Sequence, residues 1–285
     1  MIKGDTSKEN TLDRIEALDS AFRRSIINMF EGEIDVGEAS IPELTSNLED
    51  MDADVRADAA EAMGRIGSPN AAGALKALLT DGDGEVRTQA AVALIRIGDD
   101  SLFPKVVKSL RHEDPRVVLG AAVVLGRVAD RRVVPNLVEA FQTNHEEVGA
   151  AIAWALGQCG DDASLPWLCT AVQQGFCVVN ACEALGRIGS PHAADALLRR
   201  LHDAHTDVRA YAARSLGMLR YASDDYDAAF CAEKKAIAIA ALAGLFSDAE
   251  RKVRLCAAIA LYELGDKSGQ KQLSDEVDGL MGDEP

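Results

Sequence analysis

The sequence predicts an all-α fold, an α-solenoid of about seven helical hairpins with an N-terminal capping helix. Two observations carry this reading. First, one phrase recurs at a nearly fixed interval, the mark of a repeat architecture. It reads DVRADAAEAMGRIG (54–67), EVRTQAAVALIRIG (85–98), RVVLGAAVVLGRVA (116–129), EVGAAIAWALGQCG (147–160), FCVVNACEALGRIG (176–189), DVRAYAARSLGMLR (207–220) and KVRLCAAIALYELG (252–265), with starts 31, 31, 31, 29, 31 and 45 residues apart. The last interval is one unit plus a 14-residue insertion. Second, each copy stands beside another segment with apolar residues at helical spacing, such as IPELTSNLED and LFPKVVKSLRHED, where Val106, Val107 and Leu110 share a face.

Taken in order, residues 1–36 hold a tail and a capping helix. Within 11–31, Leu12, Ile15, Leu18, Phe22, Ile26 and Met29 form one apolar stripe. Residues 37–265 are the seven units, each a helix A followed by a helix B. Pro42, Pro104, Pro135 and Pro166 fall near the starts of A helices, where a missing N–H costs little. Glycine closes most B helices as a C-terminal stop. Paired alanines, such as Ala59-Ala60, Ala90-Ala91, Ala121-Ala122 and Ala212-Ala213, let helices approach closely. A hairpin of this size buries its faces only by stacking, so the units share a continuous core. The insertion at 221–234 is either a loop on one face or a longer first helix of the last unit. Residues 266–285 form a C-terminal cap with Leu273, Val277 and Leu280, then an acidic end.

Composition narrows function. The chain of 285 residues is 48% hydrophobic and only 5% aromatic, and carries a net charge of −16. That field repels phosphate backbones, so nucleic acid is not an expected partner. No 18-residue apolar run suggests a membrane span, no signal peptide is visible at the start, and a cytoplasmic location is expected. The oligomeric state is left open.

The phrase D-x-x-V-R-x-x-A-A-x-A-L-G-x-I-G, clearest at 52–67 and 83–98, resembles the HEAT-like repeat of the phycobilisome lyase type. The resemblance implies an α-solenoid whose B helices line the concave side. It implies no single activity, because such repeats serve phycobilin lyase subunits, deoxyhypusine hydroxylase and adaptors alike. Hydroxylase-like members carry paired His-Glu motifs early in helix B. The matching pairs here, from Ala57-Asp58 to Leu255-Cys256, contain none, and His112-Glu113 and His145-Glu146 fall in turns outside that register. The five histidines, which include His192, His202 and His205, read as solvated turn residues, so no metal site and no cofactor are expected.

The cysteines 159, 169, 177 and 182 are spaced C-x9-C-x7-C-x4-C, without the short pairs of a zinc site. Cys159, Cys177 and Cys182 replace Ile, Val and Ala of the phrase and read as small core hydrophobes; Cys169 is ambiguous.

Positions 1, 5, 8 and 12 of the phrase share one face of helix B. Position 12 carries Arg65, Arg96, Arg127, Gln158 and Arg187; the middle copies add Val123, Trp154 and Phe176 on this face, and Tyr211 follows. Arginine and tryptophan beside apolar groups are the usual composition of a binding hot spot. These nine residues are the candidate partner surface for a protein or peptide. The alternative is that the arginines pair with neighbouring carboxylates and Trp154 fills space between units. A non-enzymatic scaffold is the leading functional reading; a phycobilin lyase-like or chromophore-chaperone subunit is the alternative. On the scaffold reading, Trp154→Ala weakens binding and leaves stability nearly unchanged.

The phrase arginines Arg56, Arg87, Arg209 and Arg254 have no counterpart in copies three to five, which carry Val118, Gly149 and Val178. The resemblance implies that such arginines pair with turn aspartates of neighbouring units.

Overall fold

The computed structural model describes residues 41–99, 101–143 and 146–281. The expected capping helix at 11–31, His145 and the last four residues lie outside them. Among the described residues the chain forms seven helical hairpins. In order, A and B helices are α1 (Ile41–Asn47) and α2 (Ala53–Ile66), α3 (Ala72–Ala77) and α4 (Gly84–Arg96), α5 (Phe103–Ser109) and α6 (Pro115–Val128), then α7 (Val134–Thr143) and α8 (Glu146–Cys159). The last three hairpins are α9 (Leu165–Gln174) and α10 (Val178–Ile188), α11 (Ala194–Leu198) and α12 (Thr206–Gly217), and α13 (Ala228–Gly244) and α14 (Arg251–Glu263). A final helix, α15 (Lys267–Met281), packs on α14.

Local chemistry sets the helix ends. Asp52, Asp83 and Asp114 stand just before B helices, and each accepts a hydrogen bond from a first-turn N–H, relieving one orphan donor. At the other end Gly67 adopts φ 72°, the left-handed conformation that stops a helix. The third copy ends RVA instead of RIG, and Ala129 takes the same conformation at φ 56° without a glycine's freedom.

The B helices stack on one another through a rule spanning adjacent copies. The glycine at phrase position 11 meets a small residue at position 9 of the next copy. A Cβ on Gly64 would lie 2.7 Å from Ala93 Cα, one on Gly157 2.8 Å from Ala184 Cα, and one on Gly217 2.6 Å from Ala260 Cα. Gly126 and Gly186 meet Ala155 and Ser215 in the same way. The second junction breaks the rule, because Ile95 stands where the glycine belongs and Val124 where the small residue belongs. Branched side chains hold α4 and α6 apart, and the apolar core divides there. Hairpins one and two share one buried cluster, hairpins three to seven another, and only Ala91, Val92 and Val124 form a small cluster between them. The expected continuous core is therefore interrupted at this junction.

The arginines missing from the middle copies have a structural explanation. Arg56 forms a bidentate pair with Asp81 of the next turn at 2.9 Å through Nε and Nη2, while its Nη1 donates to the carbonyls of Asp50 and Met51. Arg209 does the same with Asp248 at 2.8 and 3.0 Å. Copies three to five lack the arginine, and His112, Thr143 and Val172 stand in their own turns in the aspartate's place. Both partners are therefore missing at the third and fourth junctions, while Arg87 faces His112 at the second and Val178 faces Asp203 at the fifth. Val118 is buried instead, the Phe176 ring covers Gly149, and Arg200 of the sixth hairpin reaches back to the carbonyls of Val172 and Gln173. The latch expected from the resemblance is thus present at the first and sixth junctions and replaced by other packing in the middle.

The insertion takes both forms, residues 221–227 making a non-helical turn and residues 228–234 lengthening the first helix of the last unit. Residues from Ala228 onward extend α13, capped by Asp227, and the preceding turn folds back on hairpins five and six. Tyr226 donates to Asp162 at 3.1 Å, Lys234 pairs with Asp195 at 2.8 Å, and His192 lies against both Tyr226 and Phe230. No helix of the described residues is long and apolar enough to cross a membrane.

Candidate functional site

Four successive B helices build one pocket of about 290 Å³. Helix α2 supplies Glu61, α4 supplies Gln89, Val92 and Arg96, α6 supplies Gly126 and Arg127, and α8 supplies Trp154 and Gln158. These are positions 5, 8, 11 and 12 of the phrase, and successive helices are close enough for the same positions to adjoin. Four candidate residues, Arg96, Arg127, Trp154 and Gln158, are therefore brought together as the helical spacing predicts. Glu61, Gln89 and Val92 lie in the same rows, so position within the phrase was the signal that identifies them too.

The electrostatics differ from a row of free cations. Arg127 forms a bidentate pair with Glu85 at 2.6 and 3.1 Å, and its side chain is 29% exposed. Arg187 pairs with Glu183 one helical turn away at 3.0 Å. Pairing with neighbouring carboxylates is thus what these two arginines do. Arg96 is exposed and donates from Nη2 to the Arg127 carbonyl at 2.9 Å, and among the described residues it makes no ion pair. Arg96 is the member of the row best placed to meet an incoming carboxylate.

Trp154 has two roles. Its ring lies over Gly126, where a Cβ would come within 2.3 Å of the ring, and its other face lines the pocket. Part of the indole belongs to the packing between hairpins three and four. Truncation is therefore expected to cost stability as well as binding, unlike the sequence expectation of unchanged stability.

The other candidates lie elsewhere. Val123 lines a separate cleft of about 530 Å³ between α4 and α6. Arg65 is exposed at the end of α2 and lines none of these pockets. Tyr211 sits under Lys252, whose Nζ is 5.6 Å from the ring centroid. Phe176 is off the helix altogether. Every other B helix opens one residue before its phrase, but α10 opens at Val178, after Cys177 in a left-handed conformation at φ 44°. The shortened 29-residue interval removes the turn that would have started the helix earlier. Phe176 instead meets Phe141 edge-on, with ring centroids 5.4 Å apart, and both line a pocket with Trp167 near the A helices. Trp167, 42% exposed, was not among the candidates. Its signal was a second tryptophan in an aromatic-poor chain.

The cysteines behave as packing. Cys159, Cys177 and Cys182 are buried, and all six cysteines of the chain are free thiols. Burial pushes the Cys159 thiol up to about 11 and Cys182 up to about 12, which suppresses the reactive thiolate.

A family model of HEAT repeats matches residues 41–123, 103–175 and 179–229. The chain belongs to the HEAT-repeat family. No curated protein matches this HEAT-repeat protein. Among solved structures it is similar to the complex of CpcE and CpcF of phycocyanin lyase from Nostoc sp. PCC7120, with 21% identity, 79% of this chain and 93% of that chain covered, and a TM-score of 0.42. It is also similar to an engineered protein, with 22% identity, 81% and 97% coverage, and a TM-score of 0.33.

Proposed function

We propose that this HEAT-repeat protein is a non-enzymatic scaffold that holds a protein or peptide partner along the face of α2, α4, α6 and α8. The observation that carries this reading is the pocket in which Arg96, Arg127 and Trp154 converge from three different hairpins, with Gln158 beside Trp154. An exposed guanidinium beside a half-buried indole provides a charged anchor and an apolar one within a single footprint. At about 290 Å³ the pocket falls just under the roughly 300–1,000 Å³ of small-molecule sites, which suits the side chains of a partner better than an enclosed ligand. A chromophore held by its propionates would need available arginines along this row, and two of them are already paired with carboxylates.

The test is capture from native lysate by immobilised protein, comparing wild type with Arg96→Glu. Arg96 is exposed, so the substitution is expected to leave the helical circular dichroism spectrum unchanged. Partners retained by wild type are expected to fall at least ten-fold on the variant. Equal capture by the two proteins would overturn the assignment of this face. Added bilin is expected to give no shifted visible band.

A further inference from the structure

We propose that the cleft between the second and third hairpins binds a partner segment that presents an aspartate between apolar residues, with Arg87 taking the carboxylate. The argument starts from the latch. Arg56 and Arg209 each direct Nε and Nη2 onto a turn aspartate of the following hairpin, at 2.8–3.0 Å. Arg87 occupies the same phrase position and makes the other half of the pattern, donating Nη1 to the carbonyls of Asp81 and Gly82 at 2.6 and 3.0 Å. Its aspartate is missing. His112 stands there and repeats only one of the aspartate's tasks, accepting the Asp114 N–H on Nδ1 at 3.0 Å. Among the described residues, nothing accepts from Nε or Nη2 of Arg87. A fork that binds a carboxylate twice elsewhere in this chain is left exposed here.

The space beside it is also particular to this junction. Ile95 and Val124 wedge α4 and α6 apart, and the resulting cleft of about 530 Å³ has Arg87 on one side and Val106, Val117, Leu119 and Val123 on the other. Val117 and Leu119 are each 37% exposed, apolar surface that a flanking residue would cover. The other charges facing the cleft are balanced: Glu85 is held by Arg127, and Arg116 by Asp114 at 2.9 Å. An incoming carboxylate therefore meets a guanidinium that makes no direct ion pair among the described residues and acts only at longer range on the Asp81 carboxylate held by Arg56. An aspartate side chain is the source that reproduces the geometry of Asp81 and Asp248.

This inference rests on the scaffold reading for the origin of the segment, but it concerns a different surface and is tested without the natural partner. The probe is a fluorescein-labelled peptide Val-Leu-Asp-Val-Leu, blocked at both ends, with its Asn counterpart as the control. Fluorescence polarisation is expected to saturate below about 1 mM for the Asp peptide, with the Asn peptide at least ten-fold weaker. Arg87→Gln is expected to lose binding at least ten-fold. His112→Asp supplies the missing carboxylate from within the chain; it is expected to compete the peptide out and to raise the thermal midpoint. Arg96→Glu should bind the peptide within two-fold of wild type, so failure at the Trp154 face and failure at this cleft are read separately. Saturation absent below that concentration, equal binding of the Asp and Asn peptides, or unchanged binding by Arg87→Gln would each overturn the proposal. If His112→Asp does not fold, Arg87→Gln carries the decision.

Discussion

Gly217 shows how much a single atom decides in this molecule. A methyl group there would lie 2.6 Å from Ala260 Cα and 2.7 Å from its Cβ, so α12 and α14 would have to separate. In a free helix, alanine is better than glycine by about 1 kcal/mol. Overpacking a close helix contact costs about 1–3 kcal/mol. We expect Gly217→Ala to destabilise by about 1–2 kcal/mol, read from the chemical-denaturation midpoint. Gly73 is the control: it lies in α3 with nothing within 4 Å of a built Cβ. Gly73→Ala is expected to stabilise by about 0.5–1 kcal/mol. Equal effects at the two sites would show that helix propensity, not packing distance, governs the stack. These glycines are visible in the sequence as part of the phrase. Their partners one copy ahead are not, because the pairing of position 11 with position 9 depends on how far adjacent helices slide.

At the scale of the elements, the first and sixth junctions are joined by arginine–aspartate latches, and these make stability depend on acid. The Arg56 guanidinium holds the Asp81 carboxyl below the usual carboxylate range, and Arg209 does the same for Asp248. Hydrogen bonds from Lys76 and Ser101 bring Asp99 down to about 2. A carboxyl depressed in the folded state stabilises fully above its unfolded value near 4, and that contribution is lost as pH falls through the folded value. The thermal midpoint is therefore expected to be flat from pH 7 to about pH 5 and to fall between about pH 4 and pH 2. In Asp248→Asn the midpoint should start lower and the acid-dependent fall should be smaller. An identical acid profile in the variant would show that this latch does not contribute. The sequence suggested such latches only through resemblance. Which junctions keep them was legible in the joint loss of arginine and aspartate from copies three to five. Their replacement by Phe176 over Gly149 and by Arg200 from another hairpin was not, since neither substitute occupies the lost residue's place in the phrase.

For the whole molecule, the break at Ile95 and Val124 divides a chain of uniform-looking repeats into two cores of unequal size. Repeat proteins unfold as the sum of units and junctions, so the weakest junction sets where cooperativity fails. Hairpins one and two are expected to unfold at lower urea than hairpins three to seven. Both tryptophans, Trp154 and Trp167, lie in the larger body, so their fluorescence reports on it alone, while circular dichroism reports on all helices. The dichroism transition should begin before the fluorescence transition. Superimposable transitions would show that the two cores unfold as one.

The sequence by itself determined the helical hairpins, their period, their caps and the face on which Arg96, Arg127, Trp154 and Gln158 meet. Each of these follows from interactions within a few residues or from a periodicity repeated seven times. Tertiary structure decided which charges remain available. Arg127 is neutralised by Glu85, 42 residues away, and Arg87 is left open because a histidine stands in the next hairpin's turn. It also decided that Phe176 leaves the row and that the core divides after the second hairpin. These outcomes depend on the distance and angle between neighbouring helices, which bulky or absent side chains at a few contact points set and no single helix encodes.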